Sequence, residues 1–145
     1  MLNTDEILEK FASGFDCAQV ILEHYCENYG VSTNVARKLS TGFGGGCMRG
    51  ETCGAIVGAY MALGLKYGIF KDGEEGQNQK VESCKKCEEF NKKFKEIYNS
   101  FECRELLHAD ISTKEGMKEI SDKNLMTTFC PALVSDVTKI LDEML

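Results

Sequence analysis

Eight cysteines lie among the 145 residues of this chain, at positions 17, 26, 47, 53, 84, 87, 103 and 130. Ionised thiols attack disulfides and bind soft metals, so these residues are where chemistry is to be sought. Cys53 has the most distinctive setting. It follows a glycine-rich stretch, TGFGGGCMRGET, that carries Cys47, and it opens the run CGAIVGAYMALGLKY. Gly54, Gly58 and Ala62 recur every four residues and so share one helix face. A glycine inside a helix costs about 1 kcal/mol relative to alanine. Two on one face imply a close approach to the backbone, by another helix or by a bound group. The opposite face, Ile56, Tyr60, Leu63 and Tyr67, reads as core. Cys53 falls at the first turn, where free amides and the positive end of the helix dipole favour a thiolate. Arg49 is a candidate counter-charge or a solvated surface residue. The loop ends Gly-Glu-Thr-Cys and lacks the Gly-Lys-Ser/Thr of a phosphate-binding loop.

The other thiols are read from the elements that carry them. Thr4 to Ser13 predicts a short helix capped by Asn3 or Thr4. Phe15 to Tyr29 predicts a second, with Phe15, Ala18, Ile21, Leu22 and Tyr25 as its buried stripe and Gly30 as its stop. Cys17 lies near the same face as Val20, Ile21 and His24, while Cys26 lies elsewhere on the wheel. Ser32 or Thr33 caps a short helix through Leu39, and Gly68 ends the Cys53 helix. Gln77 to Phe101 predicts a long helix with Cys84-Lys85-Lys86-Cys87 in its middle. That CxxC is half of a metal site or an incidental surface pair, because no strand precedes it. Cys103 heads a short helix, CRELL. Ser112 or Thr113 starts another, with Glu115 placed for a capping box. Phe129-Cys130-Pro131 begins the last helix, which runs to about Met144. Proline is favoured at the first helical position, which makes Cys130 the expected N-cap and a second thiol at a helix start. His24 and His108 read as structural or solvated.

No stretch alternates as a strand does, so the fold class expected is all-α: one domain, residues 1–145, of about five to seven helices. A hydrophobic fraction of 43% in a chain this long supports a real core. The net charge of −6, with no basic run, excludes nucleic acid as a partner. No apolar stretch reaches the roughly 20 residues a membrane-spanning helix needs. With no secretory signal at the start, a cytoplasmic protein is expected. Cysteines there serve metal binding or redox chemistry more often than disulfide frameworks.

Four cysteine-centred pieces follow one another in the order GFDCAQVIL, FGGGCMRGETCGAIVGAYMALGLKYG, FECRELL and FCPALV. In this order the chain resembles, over nearly its whole length, the C_GCAxxG_C_C family, whose redox activity is inferred from its thiols. The resemblance places the family's four cysteines on Cys17, Cys53, Cys103 and Cys130, and its glycines on Gly54 and Gly58. It also implies, through members associated with transporters, a link to sulfur or metal handling. Cys47, Cys84 and Cys87 stand outside the four-cysteine pattern.

Two chemistries are expected from these residues. In thiol–disulfide exchange, Cys53 attacks and Cys130 or Cys103 resolves the mixed disulfide. In the alternative, Cys17, Cys53, Cys103 and Cys130 hold an iron–sulfur cluster or a single metal ion, with Gly54, Gly58 and Cys47 as further cofactor-binding positions. The partners are a redox protein or a small sulfur or metal species. A non-enzymatic carrier is a third reading.

Overall fold

A computed structural model describes all residues, 1–145. The chain is all-α. Its helices are α1 (Thr4–Ala12), α2 (Cys17–Cys26), α3 (Thr33–Ser40), α4 (Gly54–Tyr67), α5 (Gly73–Lys95), α6 (Cys103–Leu106), α7 (Lys114–Asp122) and α8 (Phe129–Asp142). Seven have eight or more residues, and α6 is a single turn. No strand forms. One isolated antiparallel bridge joins Thr52 to Glu102.

The core is built by α2, α4, α5 and α8. Ile21, Ile56, Leu63, Phe90, Phe94, Val134, Val137 and Leu141 are fully buried or nearly so in it. The helix seam between α2 and α4 depends on the glycines. A Cβ at Gly58 would lie 3.0 Å from the Ala18 carbonyl oxygen and 3.1 Å from Ile21 Cβ. Gly58 is therefore where α2 approaches the backbone of α4. Gly54 is pressed equally close to the Phe43 carbonyl, where a Cβ would stand 2.9 Å away.

Several helix ends differ from expectation, each for a local reason. Phe15 lies outside α2 because Asp16 takes the N-cap. Its carboxylate accepts from the amides of Ala18 and Gln19, and the Gln19 side chain accepts from the Asp16 amide in return. The long helix starts at Gly73 and ends at Lys95, short of Phe101. Beyond it, Tyr98 and Phe101 fold back to stack on Phe94, at ring distances of 5.0 and 5.6 Å. Thr113, not Ser112, caps α7, accepting from the Gly116 amide. Cys130 is not an N-cap. The amides of Phe129 and Cys130 both donate to the Leu125 carbonyl, so α8 begins at Phe129 and Cys130 is its second residue.

Candidate functional site: a cavity lined by four thiols

Each of four cysteines is set at the start of a helix. The Asp16 cap fixes Cys17 as the first residue of α2. Gln19 ties that helix start to α3 by donating to the Arg37 carbonyl and to Thr41 Oγ1. Cys53 is the N-cap of α4, and Cys103 is the first residue of α6. These two are held by the bridge: the Cys53 amide donates to the Phe101 carbonyl at 2.8 Å, and the Cys103 amide to the Glu51 carbonyl at 2.6 Å. Side chains alternate across such a pairing, so Cys53 and Cys103 project from the face opposite Thr52 and Glu102. Cys130 completes the set from the first turn of α8.

The glycine-rich loop closes the site. Gly45, Gly46, Cys47 and Met48 are four consecutive left-handed residues, with φ of 59°, 63°, 57° and 58°. That conformation is strained for Cys47 and Met48, by about 1–2 kcal/mol each. The turn lets Gly44 press against Asp16, where a Cβ would lie 2.5 Å from the Asp16 side chain. Gly45 is thereby laid against the thiols.

The result is a cavity of about 30 Å³ lined by Cys17, Cys53, Cys103 and Cys130. Gly45, Gly54, Leu106, Leu107, Ile111, Met126, Phe129 and Leu133 complete its wall. It has room for a guest of one or two waters' size. No carboxylate, histidine or cation lines it. An outer groove lined by Leu8, Phe11, Ala12, Phe15, Asp16 and Thr127 shares Cys17, Gly45 and Met126 with it. Those three residues thus stand between cavity and surface.

The electrostatics separate the four thiols. Burial pushes Cys53 up to about 11, because desolvation outweighs the favourable amides of Ala55 and Ile56. The thiolate expected at Cys53 from its helix start is therefore disfavoured. Burial, followed by the nearness of Cys53 and Cys130, pushes Cys103 up to about 12. Cys17 and Cys130 act on each other. The hydrogen bond between their side chains, then burial, raises Cys17 well above its ordinary value. The same hydrogen bond lowers Cys130 against the opposing effect of burial. Cys17 thus holds its proton more firmly than Cys130 does. Cys130 is also the least buried of the four and lies in the first turn of a 14-residue helix.

The remaining candidates lie elsewhere. Cys47 is half-buried in the loop and does not line the cavity. Cys84 is exposed and Cys87 partly buried on α5. Cys26 is fully buried against Leu22 and Ala36 as a small apolar residue. Arg49 pairs with Glu51 at the surface. His108 is exposed. No three cysteine, histidine or carboxylate side chains converge closely enough to share an ion. Met126 was not anticipated. Its Sδ lies 3.9 Å from Cys130 Sγ, and its place four residues before Cys130 was the available signal.

Residues 15–144 match the family described as "Putative redox-active protein (C_GCAxxG_C_C)". The chain belongs to this family. Cys17, Cys53, Cys103 and Cys130, which the resemblance had placed on the family's pattern, are the four that line this member's cavity. No curated protein matches the chain, and no solved structure does. No helix is long and apolar enough to cross a membrane.

Proposed function

We propose that this family member exchanges thiols for disulfides through Cys17 and Cys130. The observation that carries the reading is that two thiols from opposite ends of the chain line one cavity, Cys130 being the less buried of the two; the shifts of their ionisation in opposite directions agree with it. The Cys130 thiolate attacks one sulfur of a substrate disulfide, forming a mixed disulfide and releasing the first substrate thiolate. Cys17 then loses its proton to solvent or to that thiolate and attacks Cys130 Sγ. This forms the Cys17–Cys130 disulfide and releases the second substrate thiolate. The protein loses two electrons and the substrate disulfide gains them. Cys53 and Cys103 stay protonated at neutral pH, walling the pair off from water. Substrate, a small disulfide or the exposed disulfide of a partner protein, approaches along the apolar groove that Cys17 and Met126 join to the cavity holding Cys130. Free thiols of this kind suit a reducing compartment such as the cytoplasm.

The four-thiolate reading draws on the same gathering of cysteines. Against it, the cavity is too small for a cluster unless its walls move, and no three conventional ligands converge. Two measurements decide between the readings. Mild oxidation followed by differential alkylation and mass spectrometry should find a Cys17–Cys130 linkage, and Cys17→Ser should trap a mixed disulfide on Cys130. Iron and acid-labile sulfide in anaerobically purified protein, with no such linkage, would overturn the exchange reading.

A further inference from the structure

We propose that Cys17, Cys130 and Met126 form a binding site for Cu(I). The proposal goes beyond the exchange reading: it uses the same two cysteines, adds a third sulfur and involves no electron transfer.

Three observations carry it. First, the sulfurs are gathered. Cys130 Sγ lies 3.9 Å from Met126 Sδ, and Cys17 lines the same small cavity as both. With metal–sulfur bonds of about 2.3 Å, the ligands of a trigonal three-sulfur site stand about 4 Å apart. The Cys130–Met126 spacing therefore already matches one edge of such a site. Second, the ligand chemistry is selective. Soft thiolate and thioether donors select Cu(I), zinc and iron–sulfur clusters; structural zinc and clusters take four thiolate or imidazole ligands and magnesium and calcium require oxygen, so a three-sulfur set that includes a thioether suits Cu(I). The cavity wall supplies no carboxylate or histidine, and the only other sulfurs are those of Cys53 and Cys103. Third, there is a path. Met126 is 39% exposed and belongs both to the cavity wall and to the outer groove. An ion arriving along the groove meets Met126 and Cys17 in its wall, with Cys130 in the cavity behind them. Binding exchanges the thiol protons of the cysteines for one ion and leaves the copper oxidation state unchanged. A cysteine holding the ion cannot attack a disulfide, so the two uses of the pair exclude each other.

The test uses full-length reduced, metal-free protein carrying Cys47→Ser, Cys84→Ser and Cys87→Ser, which removes every thiol outside the cavity except the fully buried Cys26. Cu(I) is titrated anaerobically against a chromophoric Cu(I) chelator, and the bound form is examined by X-ray absorption. One ion per chain in an all-sulfur, three-coordinate shell is expected. Met126→Leu preserves the volume of a partly exposed side chain. It should weaken binding at least about tenfold, the lower end of what changes around a metal site usually cost. Cys130→Ser should weaken it further. Unchanged affinity in Met126→Leu would overturn the site. So would no binding, or a loss in Cys53→Ser or Cys103→Ser as large as that in Cys130→Ser. Disulfide exchange is measured separately in metal-free protein, so either idea can fail while the other stands.

Discussion

The seam that sets Cys17 beside the start of α4 should be sensitive to one methyl group. In Gly58→Ala the new Cβ would stand 3.0 Å from the Ala18 carbonyl oxygen, 3.1 Å from Ala18 Cα and 3.1 Å from Ile21 Cβ. Comfortable carbon contacts are about 3.5–4.0 Å, and two of these three atoms are backbone, so α2 itself must retreat. Overpacking of this kind costs about 1–3 kcal/mol. Replacing a helical glycine with alanine returns about 1 kcal/mol, leaving a net loss of about 0–2 kcal/mol. Gly64 on the same helix provides the reference. It is exposed, and nothing lies within 4 Å of its would-be Cβ. Gly64→Ala should therefore gain about 0.5–1 kcal/mol. The difference between the two variants cancels helix propensity and isolates the seam, at about 1–3 kcal/mol. Urea unfolding reads it directly. With an m-value of about 2 kcal/mol/M, the midpoints should differ by about 0.5–1.5 M, Gly58→Ala being the lower. Equal midpoints would refute the account of Gly58 as a packing glycine. The face would then be free for a ligand, as the sequence alone also allowed.

Four further outcomes follow from the geometry. Cys17→Ala removes the thiol that donates to Cys130, so the apparent pKa of Cys130 should rise; the pH profile of its alkylation rate should shift to higher pH. Under native conditions a thiol reagent should label Cys84 first and leave Cys26, Cys53 and Cys103 protected, which peptide mapping of a time course checks. Glu23 is pushed up by burial, but Arg37 and Lys10 outweigh this and hold its carboxyl below the ordinary range. Its contribution is thus present above pH of about 4.3 and lost as pH falls through the folded value. Glu23→Gln should cost about 1–2 kcal/mol at pH 7, discounted because Lys10 is 38% exposed, with the gap to the parent closing in acid. Gly116→Ala should destabilise strongly, by more than Gly58→Ala in the same urea assay, because its Cβ would fall 1.9 Å from the Asp110 carbonyl oxygen.

Periodicity made the helices legible. The stripe Leu133, Val134, Val137, Ile140 and Leu141 is buried in α8 as its spacing required, and the glycines at 54 and 58 marked a close approach. What occupied that approach was not legible. It is Ala18 at Gly58 and Phe43 at Gly54, residues 40 and 11 positions away, and spacing along one helix carries no information about them. The glycine-rich run announced a turn. That Cys47 and Met48 would share its left-handed backbone followed only from the closure of the loop onto Asp16 and Glu51.

The thiols show the same boundary more sharply. The helix starts that favour an anion are visible in the sequence at Cys53 and Cys130, and the sequence alone points to Cys53 as the attacking thiol and to Cys130 or Cys103 as the resolving one. Local chemistry sets only the favourable half of a thiol's ionisation, through nearby amides and the helix dipole. The unfavourable half is desolvation, which depends on what the rest of the chain stacks above the sulfur. At Cys53 the bridge to Glu102 and the laying down of Gly45 bury the sulfur, and desolvation prevails. At Cys130 the helix starts two residues earlier than Pro131 suggested. The thiol then stays partly exposed beside Met126, and Cys17 in the same cavity lowers its pKa. An N-terminal position is thus shared by all four thiols, whereas a donor partner combined with partial exposure is found at Cys130 alone. In the proposed exchange the choice of Cys130 as attacking sulfur rests on that setting, which only the tertiary fold creates.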